Sequence, residues 1–105
     1  ELREAIEFIR KHDVKPLFSN TTPNPKNAAM RNDADVVILN EMAKKITDEM
    51  GVPLNDLYGL VKAQEDYPLL YKHPRNENNC HFEEVGRKLL GENVAKFIYE
   101  NIKDD

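Results

Sequence analysis

An amphipathic run from residue 33 to Met50 stops at Gly51 and passes at once into Val52-Pro53-Leu54-Asn55-Asp56-Leu57. Leu39, Met42, Ala43, Ile46 and Met50 recur at helical spacing and mark one apolar stripe. Asp33 or Asp35 can cap the start of that helix, and a glycine just past its end supplies the stop. The segment after the glycine is short, apolar and bounded by polar residues, so it reads as a strand. A helix that reaches a strand through a single glycine is the step from which a parallel α/β layer is built. No other stretch constrains the fold as tightly.

The remaining elements are placed around this step. Leu2, Ala5, Ile6 and Ile9 follow helical spacing with no Ser, Thr, Asp or Asn cap ahead of them, so the chain opens inside a helix and reads as a piece of a longer protein. His12-Asp13 gives a turn, and Val14 to Ser19 reads as a second short strand, with Pro16 confined to its first residues or to a sheet edge. Thr21 to Asn32 is a polar loop rich in Pro and Asn. Leu57 to Ala63 is expected as a short helix and Gln64 to Cys80 as irregular, broken by Tyr67-Pro68 and His73-Pro74-Arg75. The closing helix is expected from Glu83 to Ile102, with apolar positions at Leu90, Val94, Phe97, Ile98 and Ile102. No internal repeat or low-complexity tract is visible. Two parallel strands do not make a stable sheet alone, because both faces and both edges need cover. The expected cover is a missing N-terminal half, a second chain or a swapped homodimer.

Composition narrows the function. With 105 residues, 40% apolar and 32% charged, the chain fits one soluble globular domain. The net charge of −4 is spread without long blocks, so the basic patch that phosphate binding needs is missing and nucleic acid is not expected as a partner. Nor is a membrane, since no run of about 18 apolar residues exists. The lone Cys80 forms no internal disulfide, which leaves the compartment open, a secreted or periplasmic one included.

Few residues can carry chemistry. His81 stands where a loop runs into the closing helix, a position suited to a general base and equally to a partly buried polar residue. Cys80 is its neighbour in an extended segment, where successive side chains point apart, so the two do not make a nucleophile and base. His12, His73 and His81 lack the spacing of zinc ligands, and no metal is expected. Asn20-Thr21-Thr22 fits the glycosylation acceptor pattern, a triplet common by chance. Glu65-Asp66 and Glu83-Glu84 are consecutive and read as solvated. Asp56 differs, because it ends a strand, and in open α/β sheets the carboxyl ends of strands line the ligand crevice. Asn20, Thr21 and Thr22 share that edge.

Taken in order, the Val14 to Pro23 strand and loop, the Asn40 helix, Gly51-Val52-Pro53-Leu54-Asn55-Asp56-Leu57-Tyr58, and Cys80-His81-Phe82 with Gly86 and Leu89-Leu90 resemble the C-terminal half of a GDSL-type SGNH hydrolase. The likeness spans nearly the whole of residues 1–105. It implies a partial flavodoxin-like three-layer α/β/α domain with parallel strands, and a serine esterase acting on small acyl esters, carbohydrate acetyl esters among them. It implies no cofactor. His81 is similar to the family's catalytic histidine, which takes the serine proton and returns it to the leaving alcohol. The aspartate that orients this histidine belongs three residues earlier, where this chain has Asn78, and position 79 is asparagine too. Asn20, Thr21 and Thr22 fall on the substrate-binding Thr-Pro loop, whereas the serine, glycine and asparagine blocks belong upstream of Glu1. A non-catalytic binding or assembly module with the same layer is the alternative.

Overall fold

The computed structural model describes residues 1–23, 33–65, 67–71 and 82–103, and these form a mixed α/β arrangement in which helices dominate. Helix α1 (Leu2–Lys11) leads to strand β1 (Phe18–Ser19), and helix α2 (Asp33–Met50) leads to strand β2 (Leu54–Asn55). Helix α3 (Leu57–Lys62), a 3₁₀ turn (Tyr67–Leu70) and helix α4 (Glu84–Ile102) complete the order. The strands pair in parallel, Phe18 opposite Leu54 and Ser19 opposite Asn55.

Both helix-to-strand steps are built alike. At the end of α2, Gly51 adopts φ +66, its N–H donates to the Asp48 carbonyl at 3.3 Å, and the Val52 N–H donates to the Thr47 carbonyl at 2.8 Å. That pair of bonds is the Schellman motif, and it satisfies carbonyls the helix leaves orphaned. At the end of α1 the same pair runs from Asp13 to Arg10 at 3.0 Å and from Val14 to Ile9 at 3.3 Å. Here an aspartate takes the left-handed conformation, at φ 59. Aspartate tolerates that region better than most L-residues.

The strands are shorter than the sequence pattern predicts. Pro16 and Pro53 carry no N–H to donate, so the ladder opens at the bond from the Phe18 N–H to the Pro53 carbonyl, 3.1 Å. It closes at the bond from the Asn20 N–H to the Asn55 carbonyl, 3.1 Å. Beyond that rung Asn20 and Asp56 spend their side chains on local partners. Alternation along β2 serves two helices: Leu54 borders a cavity with residues of α2, while Asn55 donates to the Asn93 side chain of α4 at 2.8 Å.

Among the described residues the buried apolar ones are Ile6, Val36, Val52, Val61 and Tyr71, joined by Thr47 and Asn55. Thr47 is fully buried and its hydroxyl donates to the Lys44 carbonyl at 3.0 Å, so the burial leaves no orphaned donor. The apolar stripe expected on α2 is rotated. Val36 and Thr47 face inward, while Leu39 and Met42 stay 59% and 57% exposed. On α4 the expected Ile98 and Ile102 are exposed as well. Asp33 and Asp35 lie inside the first turn of α2, where carboxylates meet the positive end of the helix dipole. The radius of gyration, 15.1 Å, exceeds the about 13 Å of a compact chain of this length.

Gly86 sets how closely α4 meets the 3₁₀ turn. A Cβ there would stand 2.6 Å from the Leu70 carbonyl oxygen and 2.6 Å from a Phe82 ring carbon. Only glycine permits that approach. Among the described residues no helix is long and apolar enough to cross a membrane.

Candidate functional site

The carboxyl ends of both strands form one polar edge. Asn20, just past β1, donates from Nδ2 to Asp56 Oδ1 at 2.8 Å, and its Oδ1 accepts the Tyr58 N–H at 2.9 Å. Asp56 in turn caps α3, accepting the Gly59 N–H at 2.9 Å. Two side chains thus satisfy donors at the start of α3, one of them from the other strand. Of the edge expected from Asn20, Thr21, Thr22 and Asp56, the contact between Asn20 and Asp56 joins the two strands directly.

Thr21 is held from α2. Its N–H donates to Asn40 Oδ1 at 3.0 Å, and Asn40 Nδ2 donates back to the Thr21 carbonyl at 2.8 Å. The side chain of Thr21 is exposed and that of Thr22 half-buried. Pro23, fully buried, accepts a hydrogen bond from the Tyr71 hydroxyl. Tyr71 also pairs with Phe82 as an antiparallel bridge, and the two rings stack at 4.2 Å and 28°. The Glu83 N–H donates to the Leu70 carbonyl at 2.7 Å. The loop after β1 is therefore tied to the segment that enters α4.

A cavity of about 250 Å³ opens beside this edge, bordered by Asn20, Val37, Asn40, Leu54, Asp56 and Tyr58. Glu41 and Lys44 of α2 complete its lining, so polar side chains border it both from the strand ends and from the helix. Next to it lies a cluster around Tyr58, whose hydroxyl donates to Asp33 Oδ2 at 2.7 Å. Lys62 Nζ stands 3.5 Å from the same oxygen, 3.4 Å from the Tyr58 hydroxyl, and over the rings of Tyr58 and Tyr67 at 5.5 and 5.4 Å. Burial, then the bond to Asp33, raises the Tyr58 phenol above its ordinary range. The bond to the Tyr58 hydroxyl, with lesser help from Tyr67 and Asp33, raises the Lys62 ammonium.

His81 and Asn78, with His73 and Cys80, lie outside the described residues. His12 is exposed, its ring 4.5 Å from that of Phe8 and its Nδ1 2.9 Å from the Phe8 carbonyl oxygen, as befits a residue closing a helix. Asn20, read from sequence as a glycosylation triplet, has its amide engaged with Asp56 and Tyr58. Among the described residues no three His, Cys, Asp or Glu side chains converge as a metal site would require. The residues that sequence reasoning missed are Asn40, Tyr71 and the Asp33, Tyr58 and Lys62 cluster. An asparagine in mid-helix was the available signal for the first, since asparagine belongs more naturally at caps and turns. Tyr71 carries no such local mark. Compared with protein-family models, with curated proteins and with solved structures, the chain matches none of them.

Proposed function

We propose that this chain is the C-terminal part of an SGNH/GDSL-type serine esterase that hydrolyses small acyl esters and that it supplies the catalytic histidine, His81. One observation carries the reading: the loop after β1, with Asn20 to Thr22, is fastened through Pro23 and Tyr71 to Phe82, the residue that follows His81 in the chain. In this reading the base and the substrate-binding loop meet at one strand edge, and the linkage between their chain neighbours supports it. The cavity bordered by Asn20 and Leu54 suits a short acyl or sugar-ester substituent.

In this reading the sheet is the outer part of a flavodoxin-like three-layer α/β/α domain. Two facts support it: among the described residues neither strand has a second neighbour, and Phe8, Val14, Leu39 and Ile98 remain exposed. The serine and the oxyanion donors then come from preceding strands, from a second chain or from a swapped copy. His81 takes the serine proton during attack and returns it to the leaving alcohol. A non-catalytic module on the same layer is favoured by Asn78, because an amide neither fixes the imidazole tautomer nor stabilises the imidazolium as a carboxylate does.

The test is hydrolysis of p-nitrophenyl acetate by the complete protein. His81→Ala is expected to lower kcat by at least about 100-fold, the scale of a lost general base, and Asn78→Asp to raise it. An unchanged rate in His81→Ala refutes the role of His81. A complete protein with no ester turnover, in the Asn78→Asp form too, favours the module.

A further inference from the structure

We infer that Asn40 is a positioning residue, fixing the Thr21 peptide and through it the substrate-binding edge Asn20 to Thr22; this rests on the esterase reading above. The ladder between the strands ends at the bond from the Asn20 N–H to the Asn55 carbonyl. Past it, Thr21 meets the carboxamide of Asn40, which accepts its N–H at 3.0 Å and donates to its carbonyl at 2.8 Å. A carboxamide offers the same donor and acceptor that a peptide of a neighbouring strand would. Asn40 thus continues the pairing of β1 by one residue, from a helix.

Its place in α2 argues that this contact is why asparagine is there. Position 40 lies in the interior of an 18-residue helix, where asparagine is a poor helix former and its amide competes for the helix's own backbone groups. Here both amide atoms turn away from the helix to one outside peptide. The result is a defined orientation for the first residue of the loop, with the Thr21 side chain left exposed and the Asn20 amide held on Asp56 and Tyr58. Asn40 and Asn20 both border the cavity, so the clamp and the substrate edge share one wall. A rigid helix sets the loop where a flexible one would have to order itself on binding.

Asn40→Leu keeps the size, improves helix propensity and removes both bonds. In the complete protein it is expected to raise KM for p-nitrophenyl acetate about tenfold while kcat stays within about threefold, and to speed hydrogen exchange at the Thr21 amide by at least about tenfold. A loss of folded protein alone lowers the measured kcat and leaves KM where it was. An unchanged KM, with hydrolysis still dependent on His81, overturns the positioning role and leaves the esterase reading standing. Unchanged exchange at Thr21 overturns the clamp itself. Hydrolysis that does not depend on His81 overturns the esterase reading, and the role of Asn40 in substrate binding falls with it.

Discussion

Replacing Asn20 isolates what holds the polar edge together. Its carboxamide makes two bonds, one to the Tyr58 N–H at 2.9 Å and one to the Asp56 carboxylate at 2.8 Å. The first is neutral and contributes about 1 kcal/mol net. The second involves a charge, but Asp56 is exposed, so solvent discounts it to about the same size. Asn20→Ala is therefore expected to cost about 2 kcal/mol, read as a lower urea midpoint at unchanged slope. Asn20→Asp is the sharper variant. It keeps an acceptor for the Tyr58 N–H yet sets a second carboxylate against Asp56, where the wild-type amide donated. Like charges raise the folded-state pKa of the new acid, so the stability it can offer is present at low pH and lost as pH rises through that raised value. Asn20→Asp should then be worse than Asn20→Ala at neutral pH and recover toward wild type below about pH 4. The reasoning is refuted if Asn20→Ala falls within about 0.5 kcal/mol of wild type, or if Asn20→Asp is no worse than Asn20→Ala at pH 7.

Two further outcomes follow from contacts away from that amide. Tyr58 and Lys62 both hold their protons more tightly folded than unfolded, Tyr58 through burial and Asp33, Lys62 through the Tyr58 hydroxyl. Their contribution is complete below the unfolded values, near about 10, and is lost as pH rises above them; urea midpoints across pH 9 to 11 should fall more steeply in wild type than in Tyr58→Phe, and parallel curves would contradict this. Gly86→Ala drives a Cβ to 2.6 Å from the Leu70 carbonyl oxygen, so it is expected to destabilise by about 1–3 kcal/mol and to increase hydrogen exchange at the Glu83 amide; wild-type stability would mean that α4 and the 3₁₀ turn are not packed as described.

The order and type of the helices and strands were legible in the sequence because the punctuation is local, whereas the 3₁₀ turn Tyr67–Leu70 falls where Tyr67-Pro68 read as a breaker in an irregular stretch. Gly51 and Pro16 act within a turn of where they stand, whereas Asp56, read as a strand end, is the N-cap of α3. The inward face of α2 was not legible. Leu39, Met42 and Ala43 are spaced as a core stripe, but which side of a helix is buried depends on what packs on it, and here Val36 and Thr47 are the buried positions while Asn40 reaches across to Thr21. The carboxyl-end edge was legible as a location, since it follows from strand direction alone. Its wiring was not: Tyr71 reaches Pro23 across 48 positions of sequence, and no periodicity encodes such a contact. Likewise nothing local marked Asn55, a buried amide that meets Asn93 at 2.8 Å.

The central claim is that His81 serves as the base of a serine esterase. Covalent labelling of the complete protein by a fluorophosphonate ester tests it most directly, with the adduct located by mass spectrometry and the rate compared between wild type and His81→Ala. The account predicts a single adduct, on a serine other than Ser19, and a rate at least about 100-fold slower in His81→Ala. No serine adduct, or equal labelling rates in the two proteins, would contradict it.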